Sequence, residues 1–207
     1  SFTVGFLPHL LVTLTMAVLV LPQPDFGTAM VMILLFLVMI FAAGGSVKHL
    51  GSFSALAVAG GYLLIVSADY RLERITAFLD PWKDASDTGF QIIQSFLAFG
   101  SGGLWGTGLG NGTQKLFYLP EPHTDFIFSI LGQELGFVGT CAVILLFALL
   151  VYCGIKICLK APDLFGAYLA LGITAFIGLH AAINLGVVMG LLPTKGSTLP
   201  FISYGGT

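Results

Sequence analysis

The chain has 207 residues, of which 57% are hydrophobic and 9% charged, and its mean hydropathy is +0.98. A soluble domain carries roughly 25% charged residues, so the composition excludes an ordinary soluble globule and indicates a polytopic membrane protein. A net charge of −2, with no basic run or stripe, argues against a nucleic-acid partner.

Five apolar runs follow one another, at about 6–21, 28–43, 53–68, 126–155 and 164–192. Each is long enough to cross a hydrocarbon core of about 30 Å, some with tilt. In lipid an unpaired backbone is too costly, so these runs are predicted helices. None alternates, which excludes a membrane β-barrel. The fold expected is an all-α transmembrane bundle of about five helices, one domain with a long extracytoplasmic loop at 70–125. The chain lacks an initiator Met and stops at Tyr204-Gly205-Gly206-Thr207, so it reads as an internal stretch of a longer protein.

Orientation follows from basic residues in short loops. Lys48 and His49 lie between the second and third runs, and Lys156 and Lys160 between the fourth and fifth. That side is expected to be cytoplasmic, which places Gln23-Pro24-Asp25, the 70–125 loop and the 192–206 segment outside. Cys141, Cys153 and Cys158 read as small apolar residues of one helix. Gly132-xxx-Gly136 and Gly186-xxx-Gly190 are small-residue pairs that suit close helix packing. Asn184, inside the fifth run, suits an interhelical hydrogen bond.

The long polar segment carries ten of the chain's eighteen charged residues. Thr88-Gly89-Phe90-Gln91 fits a capping box, and the apolar residues after it suit a short interfacial helix. Seven of the thirteen residues from Gly100 to Gly112 are glycine. They match no nucleotide-binding pattern, but such a stretch can turn backbone N–H groups towards an anion.

Three outer segments can meet at one membrane face: Gln23-Pro24-Asp25, His123-Thr124-Asp125, and the stretch from Leu192 to Gly206 with Lys195 and Tyr204. A cleft lined this way suits an amphiphile with a charged head. Asp125 stands where the loop enters a helix; by position alone a helix cap is favoured, and a proton acceptor is the competing role. His123 is the other base at that junction. Glu134, two and a half turns into the helix, suits either structural pairing or a substrate contact. Lys195 suits a phosphate or a solvated loop.

These residues also resemble a known family. Gly89-Phe-Gln-Ile-Ile-Gln-Ser95, the glycine-rich stretch, Leu119-Pro-Glu-Pro-His-Thr-Asp-Phe-Ile-Phe128, Gln23-Pro-Asp-Phe-Gly27 and Leu199-Pro-Phe-Ile-Ser-Tyr-Gly-Gly206 are similar, in order, to motifs of the SEDS proteins (shape, elongation, division and sporulation). Leu192-Pro-Thr-Lys-Gly196 looks more like the division branch, FtsW, than the elongation branch, RodA. Gln133, Pro122 and Thr207 depart from residues common in the family.

The resemblance implies a ten-helix protein of which this stretch carries the fifth to ninth helices. It implies a peptidoglycan glycosyltransferase of the bacterial inner membrane that polymerises lipid II on the outer face during septal wall synthesis. A class B penicillin-binding protein and other divisome membrane proteins are the implied partners. Asp125 is implied as catalytic base, in a single inverting displacement. Lys195, His123, Glu121, Gln23, Asp25, Gln91, Glu134 and Ser203 are implied substrate contacts. The leaving pyrophosphate needs positive charge, from Lys195, Arg71, Arg74 or a divalent cation; no resident cofactor is assigned. The alternatives are a lipid II flippase, an elongation-type polymerase and a scaffold without chemistry.

Overall fold

A computed structural model of the chain describes residues 6–21, 26–86, 89–112 and 124–204. Its regular elements are all helical: α1 (Leu7–Val20), α2 (Phe26–Ala42), α3 (Val47–Val66), α4 (Asp69–Leu79), a 3-10 turn (Pro81–Asp84), α5 (Phe90–Gly102), α6 (Ile127–Lys160) and α7 (Leu164–Val188). They form two compact units. One comprises Ser1–Ser67 with Val151–Leu179, the other Ala68–Leu150 with His180–Thr207.

The five expected apolar helices are present as α1, α2, α3, α6 and α7. Three of them, α3, α6 and α7, are long and apolar enough to cross a membrane. α1 and α2 have 14 and 17 residues, about 21 and 25 Å at 1.5 Å per residue, and so fall short of the full core. Local residues set the visible limits. Pro8 sits in the first turn of α1, where its missing N–H costs nothing. Gly44, at φ +75°, and Gly45 end α2, with their N–H groups on the carbonyls of Phe41 and Ile40.

In the first unit the core is aromatic. Phe6, Phe36 and Phe53 are buried together, edge to face, with centroids 5.4–6.4 Å apart; such pairs add about 0.5–1.5 kcal/mol each beyond their area. Thr13 and Thr15 return their hydroxyls to the carbonyls of His9 and Leu11, so polar groups on an apolar helix stay satisfied. Leu56, Val58 and Leu63 of α3 are exposed, as befits a helix whose surroundings are lipid.

In the second unit the described part of the polar segment holds α4, the 3-10 turn and α5. α4 was not foreseen, because its sequence DYRLERITAFL is too polar to stand out from a loop. Gly89 precedes α5 and touches the carbonyl of Pro81, a place where any Cβ would collide; Thr88, the other half of the expected capping box, lies outside the described residues. One face of α5 packs into the unit, while Phe96 and Leu97 on the other are exposed. Ser95 donates to the Val188 carbonyl at 2.7 Å, Ala98 is fully buried, and the Phe99 ring meets Phe128 at 5.8 Å and fills the space above Gly132.

α6 is not one straight helix. Gly136 has φ 68° and ψ −166°, so the helix breaks between Leu135 and Phe137. A break in an apolar helix exposes carbonyls on one side and N–H groups on the other, and the glycine-rich stretch supplies partners for both. Thr107 and Gly108 donate their N–H groups to the carbonyls of Gln133 and Glu134, at 3.0 and 3.1 Å. Phe137 and Val138 donate theirs to the carbonyls of Gly103 and Leu104, at 2.9 and 3.2 Å. Gly106 and Gly136 touch backbone to backbone, which leaves no room for a Cβ on either.

Of the first glycine pair, Gly132 allows the close packing expected, against Phe99 and Gly102 of α5, whereas Gly136 makes the break. Gly190, at φ +69°, ends α7 four residues before the expected limit, and Leu191 and Leu192 donate to the Gly186 carbonyl in the manner of a glycine C-cap.

Gly136→Ala is expected to cost about 1–3 kcal/mol from backbone conformation alone, before any clash with Leu104 O. The readout is a lower melting temperature of the purified protein in detergent. Gly60→Ala, where an added Cβ meets nothing within 4 Å, is the matched control and should not melt earlier. Equal melting of Gly136→Ala and wild type would contradict the break.

Candidate active site

The junction before α6 is built from two stretches of the second unit. Residues 124–126 turn into the helix, which begins at Ile127. Phe126 therefore holds the capping position, and Asp125 precedes it. Phe126 and Phe128 are buried and anchor the turn from below. Opposite lies the non-helical segment after α7, 191–204, which turns at 200–202. Gly196 faces Asp125: a Cβ on Gly196 would stand 3.1 Å from Asp125 Oδ2, so the missing side chain makes room for the carboxylate. Lys195 is the adjacent residue, and its Nζ is shielded from solvent.

Two side chains hold these stretches together. Asn184, on α7 and 1% exposed, donates from Nδ2 to the Asp125 carbonyl at 2.8 Å and to the Ser197 carbonyl at 2.5 Å. Ser203 donates its hydroxyl to the Thr124 carbonyl at 2.5 Å and accepts the Leu199 N–H at 2.7 Å. The expected interhelical role of Asn184 is thereby corrected: its amide links two loops.

The structure thus brings Asp125 and Ser203 to one junction, with Lys195 next to Gly196 in the chain. Gln91 stands half-buried in the first turn of α5, outside the hydrogen bonds of this junction. Glu134 is buried at the α6 break, where its Oε1 accepts the Gly112 N–H at 3.3 Å. One N–H of the glycine-rich stretch is thus taken by the protein's own Glu134 side chain. Arg71 and Arg74 flank the Tyr70 ring on α4, at 5.2 and 6.0 Å from its centroid. Gln23, Asp25, Glu121 and His123 lie outside the described residues. Among the described residues no group of three or more His, Cys, Asp or Glu side chains is placed to hold a metal ion.

Asp125 thus stands just before the start of α6, at the edge of an apolar run, with its carboxylate against Gly196. Residues 1–207 match the family of FtsW, RodA and SpoVE cell cycle proteins along their whole length. The chain belongs to this family.

Within the FtsW/RodA/SpoVE family, the chain is 50% identical over 207 residues to the probable peptidoglycan glycosyltransferase FtsW of Geobacter sp. (strain M18). It is also 50% identical over 207 residues to the stage V sporulation protein E of Bacillus subtilis (strain 168). It covers 56% and 57% of those proteins, so it spans about half the length of the curated relatives it matches. Its fold is similar to a chain of a peptidoglycan synthase complex solved for the structural coordination of polymerization and crosslinking, with TM-score 0.74 and 32% identity over 95% of this chain and 55% of that one. It is also similar to the rod shape determining protein RodA of Thermus thermophilus, with TM-score 0.62 and 28% identity over 97% of this chain and 50% of that one. Family and apolar helices together make this a multi-pass membrane protein.

Glu134 left both a structural and a substrate role open in the sequence; the N–H it accepts from Gly112 favours the first. Glu134→Gln keeps an acceptor oxygen and is expected to melt within about 1 kcal/mol of wild type. Glu134→Leu strands that N–H and should cost about 1–3 kcal/mol. Equal melting of both variants would remove the carboxylate from the structural role.

Proposed function

We propose that the full-length protein is a peptidoglycan glycosyltransferase that polymerises lipid II into glycan strands, with Asp125 as its base. The single observation that carries the reading is the placement of the Asp125 carboxylate over Gly196, next to Lys195. The names of the FtsW relatives support it, since proteins half identical to this chain are described as probable peptidoglycan glycosyltransferases.

In this mechanism the acceptor's 4-hydroxyl gives its proton to Asp125 as its oxygen attacks the anomeric carbon of the donor sugar. A new C–O bond forms, the bond to the pyrophosphate oxygen breaks, and undecaprenyl pyrophosphate leaves with the electron pair. One displacement inverts the anomeric carbon and needs one base, unlike the carboxylate pair of a retaining glycosidase. Lys195 offsets the charge that develops on the leaving pyrophosphate. Gln23, Asp25, Glu121, His123 and Gln91 are proposed contacts to the lipid II head group.

The basic residues Lys48, Lys156 and Lys160 in short loops support a cytoplasmic side there, and the alternation of the apolar runs in the sequence supports an outward-facing Asp125. The resemblance of Leu192-Pro-Thr-Lys-Gly196 to FtsW points to the division septum as the place of action and to a class B penicillin-binding protein as the transpeptidase partner. The equal identity to a sporulation protein leaves sporulation as the other assignment to be tested in cells.

The test is the full-length protein, purified with its transpeptidase partner and supplied with lipid II. Asp125→Asn is expected to lower polymerisation by at least about 100-fold, the usual worth of a general base. Strand synthesis at the wild-type rate by Asp125→Asn would overturn the assignment. Absence of strands from the wild type, with lipid II crossing vesicles, would favour a flippase instead.

A further inference from the structure

The two peptide groups that flank the Asp125 Cα are both held by side chains from the 184–203 stretch. Ser203 Oγ donates to the Thr124 carbonyl, which fixes the peptide before Asp125. Asn184 Nδ2 donates to the Asp125 carbonyl, which fixes the peptide after it. A peptide group is planar, so two fixed planes determine φ and ψ of the residue between them and hence the direction of its Cα–Cβ bond. We propose that Asn184 and Ser203 are positioning residues for Asp125, which aim its carboxylate at the space over Gly196. The inference rests on the reading of Asp125 as the base.

The residue types suit the task. A side-chain amide carries two N–H donors, and Asn184 commits its nitrogen to two carbonyls, those of Asp125 and Ser197. A hydroxyl donates one bond and accepts others, and Ser203 does both, towards Thr124 and from Leu199. Each side chain therefore also grips the 197–203 stretch, so the carboxylate is set relative to the segment that carries Lys195. Asn184 is 1% and Ser203 9% exposed. With its hydroxyl so engaged and buried, Ser203 serves position rather than substrate contact.

Asn184→Asp conserves shape but replaces the donor nitrogen with an oxygen that repels both carbonyls. Ser203→Ala removes the hydroxyl, and Ser203→Thr keeps it. In the full-length protein with lipid II, Asn184→Asp and Ser203→Ala are expected to lower kcat by about 100-fold, the cost of misplacing a reacting group by about 1 Å. KM should stay within about twofold of wild type, and Ser203→Thr should recover most of the rate. Hydrogen exchange should quicken at residues 124–130 and 197–203 in the two impaired variants and stay unchanged in α5.

If Asn184→Asp does not fold, the Ser203→Ala and Ser203→Thr pair carries the test. A rise in KM at constant kcat would make these residues substrate contacts and overturn the inference, as would unchanged exchange at 124–130. Full activity in both impaired variants while Asp125→Asn is inactive would overturn the inference and leave the base standing. If Asp125→Asn is itself fully active, the base reading fails and the inference falls with it.

Discussion

In hydrocarbon a backbone N–H or C=O without a partner costs several kcal/mol, and that constraint shapes the second unit. α6 departs from helical geometry at Gly136, in the middle of an apolar run. The departure is sustained because the glycine-rich stretch matches it bond for bond, two N–H groups to the carbonyls on one side and two carbonyls to the N–H groups on the other. Only backbone can approach backbone so closely, which is why Gly106 and Gly136 meet where no Cβ fits. Non-helical backbone at membrane depth is tolerated where protein covers it, and here the cover is the chain itself. Glu134 adds a side-chain tie to the same region by taking the Gly112 N–H.

The same accounting recurs at the Asp125 junction. The Thr124 and Asp125 carbonyls lie before the first residue of the helix. Ser203 and Asn184 satisfy them, and in doing so join two stretches of chain that are 59 or more residues apart in sequence. On the proposed reading of Asp125 as the base, a carboxylate that must accept a proton in one geometry would benefit from a backbone held this way.

Much of this was legible in the sequence. A long run without charge has few solutions in lipid, so the five apolar helices and the all-α class could be read directly. Asp125 stood out as a carboxylate between a polar loop and an apolar helix. The break at Gly136 could not be read, because hydropathy continues through Leu135, Phe137 and Val138, and the sign of φ leaves no trace in composition. The end of α7 was misjudged for a similar reason: Gly186 and Gly190 have the spacing of a packing pair, yet Gly190 is a C-cap. α4 was missed because its charges resemble those of a loop. The partners of Asn184 and Ser203 were hidden because they are backbone carbonyls, which carry no residue identity.

The central claim is that the sugar–pyrophosphate region of lipid II reacts at the junction of 124–126 with 195–203. The most direct measurement is photo-crosslinking of the full-length protein with a lipid II analogue that bears its reactive group on the disaccharide, followed by mapping of the labelled peptides. The account predicts labelling of residues within 124–126 or 195–203, lost when unmodified lipid II competes. Competable labelling confined to other parts of the chain, with this junction unlabelled, would contradict it.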